Sequence, residues 1–232
     1  MKKSSADNPS DQLRGMYSAL LAAYGPRKWW PANSPFEVIL GAYLTQATAW
    51  RNVEQSIANL RASGILSIAG IRATAEESLR DTIRPSGFAL RKAASIKAFV
   101  QFLDEHYSGS LEQIAAQPVD LLRSQLLALP GVGPETADAI LLYAFEKPVF
   151  VVDEYFRRVA TRHELVPGNA RYAELQSLGN LTVANPSSEE TTRHANELHA
   201  LIVEVGKQHC GTVPRCEDCP LAPLLPGGRF AK

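Results

Sequence analysis

The chain is poor in the features that would mark it as secreted, membrane-bound or strongly charged. Three cysteines in 232 residues are too few, and odd in number, for a disulfide framework, so a small stapled scaffold is excluded. No apolar run reaches membrane-spanning length, and the polar start MKKSSADNPSDQ has no apolar core behind it. Neither a membrane span nor a signal peptide is read, and a soluble, cytoplasmic protein is the expectation. Charge of neither sign is in excess: Lys plus Arg number 24 and Asp plus Glu 24. No global basic field announces a nucleic-acid partner, so any positive surface must be local. Period-two alternation is short wherever it occurs, which leaves no signal for a β architecture. Internal repeats are absent, and low complexity is confined to the tails.

Helical periodicity is what the chain does have. Asp11 to Tyr24 turns Leu13, Tyr17, Leu20 and Leu21 inward, and the stretch from Pro35 does the same with Phe36, Ile39, Leu40 and Tyr43, ending near Gln46. Further helices are expected at 52–60, 75–82, 90–107, 111–115 and 119–128, then after Pro134, and at 155–161, 173–178 and 189–206. The chain reads as all-α, and its length allows one large or two small domains. Two groups of cations are candidate local patches: Arg84, Arg91, Lys92 and Lys97, and Arg157, Arg158 and Arg162. Each is equally an ordinary solvated helix face.

The most informative stretch is LPGVGPETADAILLYAFEKPVFVVD, from Leu129 to Asp153. Leu129-Pro130-Gly131-Val132-Gly133 breaks one helix, and Pro134 starts the next, where its missing N–H is no loss. Thr136, Ala137, Ile140, Leu141 and Ala144 then repeat at helical spacing. The result is a helix-hairpin-helix. Two glycines let the loop backbone approach a ligand closely, and the next helix offers unpaired N–H groups at its positive end, which suits a phosphodiester. Asp153, after the apolar run 149–152, reads on its own as a helix N-cap.

LPGVG-x-x-TA followed by V-V-D resembles the helix-hairpin-helix GPD superfamily of DNA glycosylases, of which endonuclease III is the founding member. That resemblance implies an endonuclease III-like fold of two helical domains, 35–148 ending in the hairpin and 1–34 with 149–232 as the second, with DNA in the cleft between them. It implies a monomer acting on double-stranded DNA that carries a damaged base, at the nucleoid. It also makes Asp153 the catalytic carboxylate and assigns the DNA grip to Gly131, Val132, Gly133, Glu135 and Thr136.

Glu135 occupies the point where strand-cutting members carry a lysine whose amine forms a Schiff base. A carboxylate cannot form that imine, so the expected enzyme is monofunctional, with water as the nucleophile. Glu135 is also an ordinary acid at a helix start. Hydrolysis of an N-glycosidic bond builds positive charge on the sugar, and a carboxylate such as Asp153 stabilises it and orients water. No second acid is evident, which suits a base that is already cationic.

Trp29, Trp30 and Trp50 can stack on a base taken out of the duplex, and electron-rich rings favour a cationic one; interdomain core for Trp29 and Trp30 and a helix-surface plug for Trp50 are the alternatives. WWP before P-F-E-x-x-x-G-A-x-L-T-Q, an aromatic four residues on, R-P-S-G-F, and A-D-A-I-L-x-Y together resemble the type III 3-methyladenine DNA glycosylases. By that resemblance Trp29, Trp30, Pro31 and Trp50 line the base pocket, and Gln46 wedges into the gap left by the flipped nucleotide. Relatives end in a four-cysteine loop holding a [4Fe–4S] cluster. Here Cys210, Cys216 and Cys219 remain, with Leu225 at the fourth position. A remnant without metal is the preferred reading, beside a three-thiolate cluster or zinc completed by His209. His163 and His199 are read as structural or surface groups. The expected activity is hydrolytic removal of alkylated purines such as 3-methyladenine. Its alternatives are an endonuclease III-like glycosylase/lyase for oxidised or mispaired bases, and a non-catalytic damage-recognition module.

Overall fold

The computed structural model describes residues 8–27, 30 and 32–228. Among them the chain is helical throughout: α1 (Pro9–Tyr24), α2 (Pro35–Leu44), α3 (Trp50–Ala62), α4 (Ile68–Ala73), α5 (Glu76–Thr82), α6 (Ala89–Tyr107), α7 (Leu111–Ala115), α8 (Val119–Ala128), α9 (Pro134–Ala139), α10 (Glu154–Arg162), α11 (Tyr172–Val183) and α12 (Ser188–Gln208). The described residues hold no strand, only an isolated bridge between Cys210 and Pro214. They form two compact units, Trp30–Lys147 and Met1–Trp29 with Pro148–Lys232.

The first of these units is built around α2. Ser34 caps it by accepting from the Glu37 N–H at 3.2 Å, Pro35 opens it, and every residue from Phe36 to Leu44 is buried. A helix apolar all round has to be enclosed, and α3, α6, α9 and the turn after α9 pack on it. Each large side chain it buries contributes about 1.5–3 kcal/mol. Buried Glu37 is compensated by Arg61, whose guanidinium lies 2.8 Å away.

Two features here escape periodicity. Helix α4 has six residues, too few for a repeat, and is set by its Ser67 cap. The helix expected to run on from Pro134 changes to a π turn at Ile140–Ala144, closed by the Phe145 N–H on the Ile140 carbonyl at 3.2 Å. The wider turn buries Ile140, Leu141, Leu142 and Ala144 together, more than one face of a regular helix would.

In the other unit, α12 carries α1, α10 and α11. The extended segment Val149–Val152 has no strand partner, so side chains satisfy its backbone. Phe150 N–H donates to Asn180 at 2.8 Å, its carbonyl accepts from Gln176 at 3.0 Å, and Val152 N–H donates to the Tyr172 hydroxyl at 3.3 Å. Phe150 packs directly over Gly179, where an added Cβ would lie 2.1 Å from its ring.

The two cation groups are not free patches. Lys92 is buried, and Lys97 gives its ammonium to the carbonyls of Ile71, Arg72 and Thr74. Arg157 bonds the Ala170 carbonyl, while Arg158 and Arg162 bond the loop at 210–212. Loops with unpaired carbonyls recruit these cations, which leaves only Arg84 and Arg91 of the seven exposed.

Candidate nucleic-acid interface and active site

The hairpin is α8, the loop 129–133 and α9. Its helices are locked by Arg123, which forks onto both oxygens of fully buried Asp138 at 2.7 and 3.0 Å. Val132 is turned inward, whereas Gly131, Gly133 and Glu135 are exposed. Gly131 has φ +77°, and an added Cβ would meet Ser95 Oγ at 2.4 Å, so only glycine fits there. Buried Thr136 is a brace: Gln46 donates through Nε2 to its hydroxyl and to the Gly131 carbonyl, both at 2.9 Å. The residue expected to wedge into DNA is therefore anchored on the hairpin.

Sequence reasoning missed Phe88. It is 64% exposed and holds a left-handed backbone, φ 48°, as does Ala47 at φ 49°. Non-glycine residues avoid that conformation unless held. With Gln46, Ala47, Arg91, Lys92, Ser95 and Gly131, Phe88 lines an open cavity of about 240 Å³. The signal was present in R-P-S-G-F, where a glycine of φ +67° turns the chain outward just before the aromatic.

Of the aromatics expected in a base pocket, Trp29 and Pro31 lie outside the described residues. Trp30 meets Trp50 edge to face, centroids 5.4 Å apart, and tilts against Tyr143 at 4.9 Å. Gly41 lies beneath Trp30, a Cβ there reaching 3.1 Å from its ring. Both tryptophans line a cavity of about 270 Å³ with Asn33, Glu37, Glu54 and Arg61. Trp50 Nε1 donates to Glu54 at 3.0 Å.

In the other unit, Asp153 caps α10. Its Oδ1 accepts from the Phe156 N–H at 2.7 Å, and its Oδ2 lies 3.5 Å from Nε2 of the buried His199. The carboxylate is thus oriented from two sides, one by backbone and one by an imidazole that sequence reasoning left unassigned.

The three cysteines, free of disulfides, surround a cavity of about 30 Å³ that Leu225 also lines, room for about one water. Arg162 donates to Cys210 Sγ at 3.1 Å and to the carbonyls of Gly211 and Thr212, and Arg158 donates to the Cys210 carbonyl at 2.9 Å. Burial pushes the Cys219 thiol up, and with Leu225 in the fourth place only three thiols are present where a four-iron cluster takes four. These residues do not fit a four-iron cluster. Among the described residues no group of three or more His, Cys, Asp or Glu side chains is arranged to hold a metal ion.

The family model for "HhH-GPD superfamily base excision DNA repair protein" matches residues 40–182, a span that contains the hairpin, Trp50 and Asp153. The chain belongs to the HhH-GPD superfamily. Over 217 residues it is 39% identical to "Putative DNA repair glycosylase MJ1434" of Methanocaldococcus jannaschii, covering 93% of this chain and 96% of that one. The structure of the Helicobacter pylori 3-methyladenine DNA glycosylase MagIII bound to 1,N6-ethenoadenine superposes with TM-score 0.73 at 30% identity, covering 87% and 98% of the two chains. A non-covalent endonuclease III–DNA complex superposes with TM-score 0.76 at 24% identity, over 94% and 96%, and shares the fold. The HhH-GPD protein described here is an all-α DNA glycosylase, and none of its described helices is long and apolar enough to cross a membrane.

Proposed function

We propose that this glycosylase removes alkylated purines of the 3-methyladenine kind from double-stranded DNA by base flipping and hydrolysis, leaving the strand intact. The observation that carries the reading is the cavity walled by Trp30 and Trp50, in which Glu54 stands beside the paired Glu37 and Arg61. Indole faces, with the Glu54 carboxylate nearby, favour a flat cationic guest over a neutral one. The resemblance to MagIII, a 3-methyladenine DNA glycosylase whose structure holds 1,N6-ethenoadenine, supports a modified adenine as the guest.

In this reading the glycines of the hairpin grip the phosphodiester backbone, and Gln46 and Phe88 fill the gap left by the flipped nucleotide. Asp153 is the catalytic group. Its carboxylate, held by the Phe156 N–H and facing His199, stabilises the oxocarbenium charge and orients water at the sugar carbon. Exposed Glu135 in the first turn of α9 supplies no amine for an imine, so the abasic product is released uncut. The arginine-held cysteine loop keeps its shape without metal.

Purified protein incubated with alkylated, uracil-containing and oxidised duplexes, with free bases and strand breaks analysed separately, tests this. Release of 3-methyladenine without breaks is expected. Borohydride-trapped adducts with strand cleavage would overturn the monofunctional assignment, and release from oxidised or uracil duplexes alone would overturn the base assignment.

A further inference from the structure

Lys92 lies in the first turn of α6 and is 3% exposed. A buried ammonium is tolerated only when acceptors replace its water. Three do: the Leu44 carbonyl at 2.8 Å, the Thr48 hydroxyl at 2.8 Å and the Ser86 carbonyl at 2.7 Å. The acceptors come from three separate pieces of chain. Leu44 supplies an orphan carbonyl at the negative end of α2. Thr48 closes the turn that carries Gln46 and Ala47, bonding the Gln46 carbonyl at 3.0 Å through the same hydroxyl. Ser86 lies two residues before Phe88, and its carbonyl shares the single Thr48 hydroxyl proton with that of Gln46. Each turn holds one non-glycine residue in left-handed backbone, Ala47 and Phe88, so neither keeps its shape unaided.

We propose that Lys92 is the positioning residue that fixes the Gln46 turn against the Phe88 turn, so that the two turns meet damaged DNA as one preset wedge. This rests on the reading of Gln46 and Phe88 as wedge residues. An ammonium has three N–H groups for three acceptors, whereas a neutral amine has two. Burial pushes Lys92 down to about 8, so the third bond is lost as pH rises through that value. Arg91 is the other charged group lining the adjoining cavity, and its guanidinium does not titrate in this range.

The test compares binding of a duplex carrying a tetrahydrofuran abasic analogue with binding of the intact duplex, with 2-aminopurine opposite the gap reporting unstacking. In Lys92→Met, affinity for the abasic duplex is expected to fall about tenfold as the wedge-competent population shrinks. Intact-duplex binding, which depends on the hairpin, and the circular-dichroism spectrum stay as in the parent. The parent protein is expected to show the same selective loss between about pH 7 and 9.5, and Lys92→Met, if folded, to be flat across it. Undiminished abasic preference and 2-aminopurine signal in the variant overturn the proposal. If the variant does not fold, a flat parent preference through that pH range overturns it. A Gln46→Ala/Phe88→Ala variant separates the two claims. If it keeps the abasic preference, the wedge reading fails and takes the staple with it; if it loses that preference while Lys92→Met does not, the staple alone fails.

Discussion

Asp153 has two duties that substitution can separate. It caps α10 through Oδ1 and faces His199 through Oδ2. Asparagine caps a helix as well as aspartate does, but it carries no charge to set against an oxocarbenium ion. Asp153→Asn should therefore melt like the parent while single-turnover base release falls about 10²–10⁴-fold. Asp153→Ala should add a stability loss of about 1 kcal/mol from the missing cap, readable in a denaturant titration. Glycosylase activity unchanged in the asparagine variant would remove Asp153 from the chemistry. At this scale the sequence was legible where local chemistry names a role, as with Asp153 as the cap of α10, and illegible where burial decides. Lys92 reads as a surface cation until its three carbonyl and hydroxyl acceptors are seen. Phe88 carries no role of its own until its left-handed backbone and exposure are seen.

Two elements depend on arginine. In the hairpin, Asp138 is fully buried beneath the Arg123 fork, and removing one partner strands the other charge. Asp138→Ala should cost about 3–5 kcal/mol in urea unfolding, whereas replacing both partners by leucine should recover much of that. Equal losses in the single and double variants would mean the pair itself stabilises the hairpin. In the cysteine loop, Arg162 satisfies Cys210 Sγ and two carbonyls. Arg162→Ala should lower stability by about 1–3 kcal/mol, while a chelator leaves the melting temperature of the parent unchanged. A melt that drops with chelator would show that metal, not arginine, holds the loop. Helix spacing made α1, α2, α6 and α12 legible because each buries a long apolar stripe. The six-residue α4 and the π turn at Ile140–Ala144 were not, since one depends on a single cap and the other on packing that periodicity does not encode.

Across the whole molecule, positive and negative charges balance at 24 each, so DNA binding has no global field to draw on. Five of the seven cations that sequence grouped into patches are committed to protein acceptors: Lys92, Lys97, Arg157, Arg158 and Arg162. Arg84 and Arg91 remain exposed, and in the proposed reading the hairpin grips phosphate through neutral backbone N–H groups. Few counterions are then released on binding. The slope of log K against log salt is about −0.9 for each phosphate neutralised, so binding of an abasic duplex should show a shallow slope, about −2 to −3. Arg84→Ala and Arg91→Ala should each reduce its size by about one. Titrations from low to moderate salt decide the matter: a slope of about −6 would mean that a basic surface outside these groups carries the duplex, and that the wedge and hairpin act only after the field has brought it in.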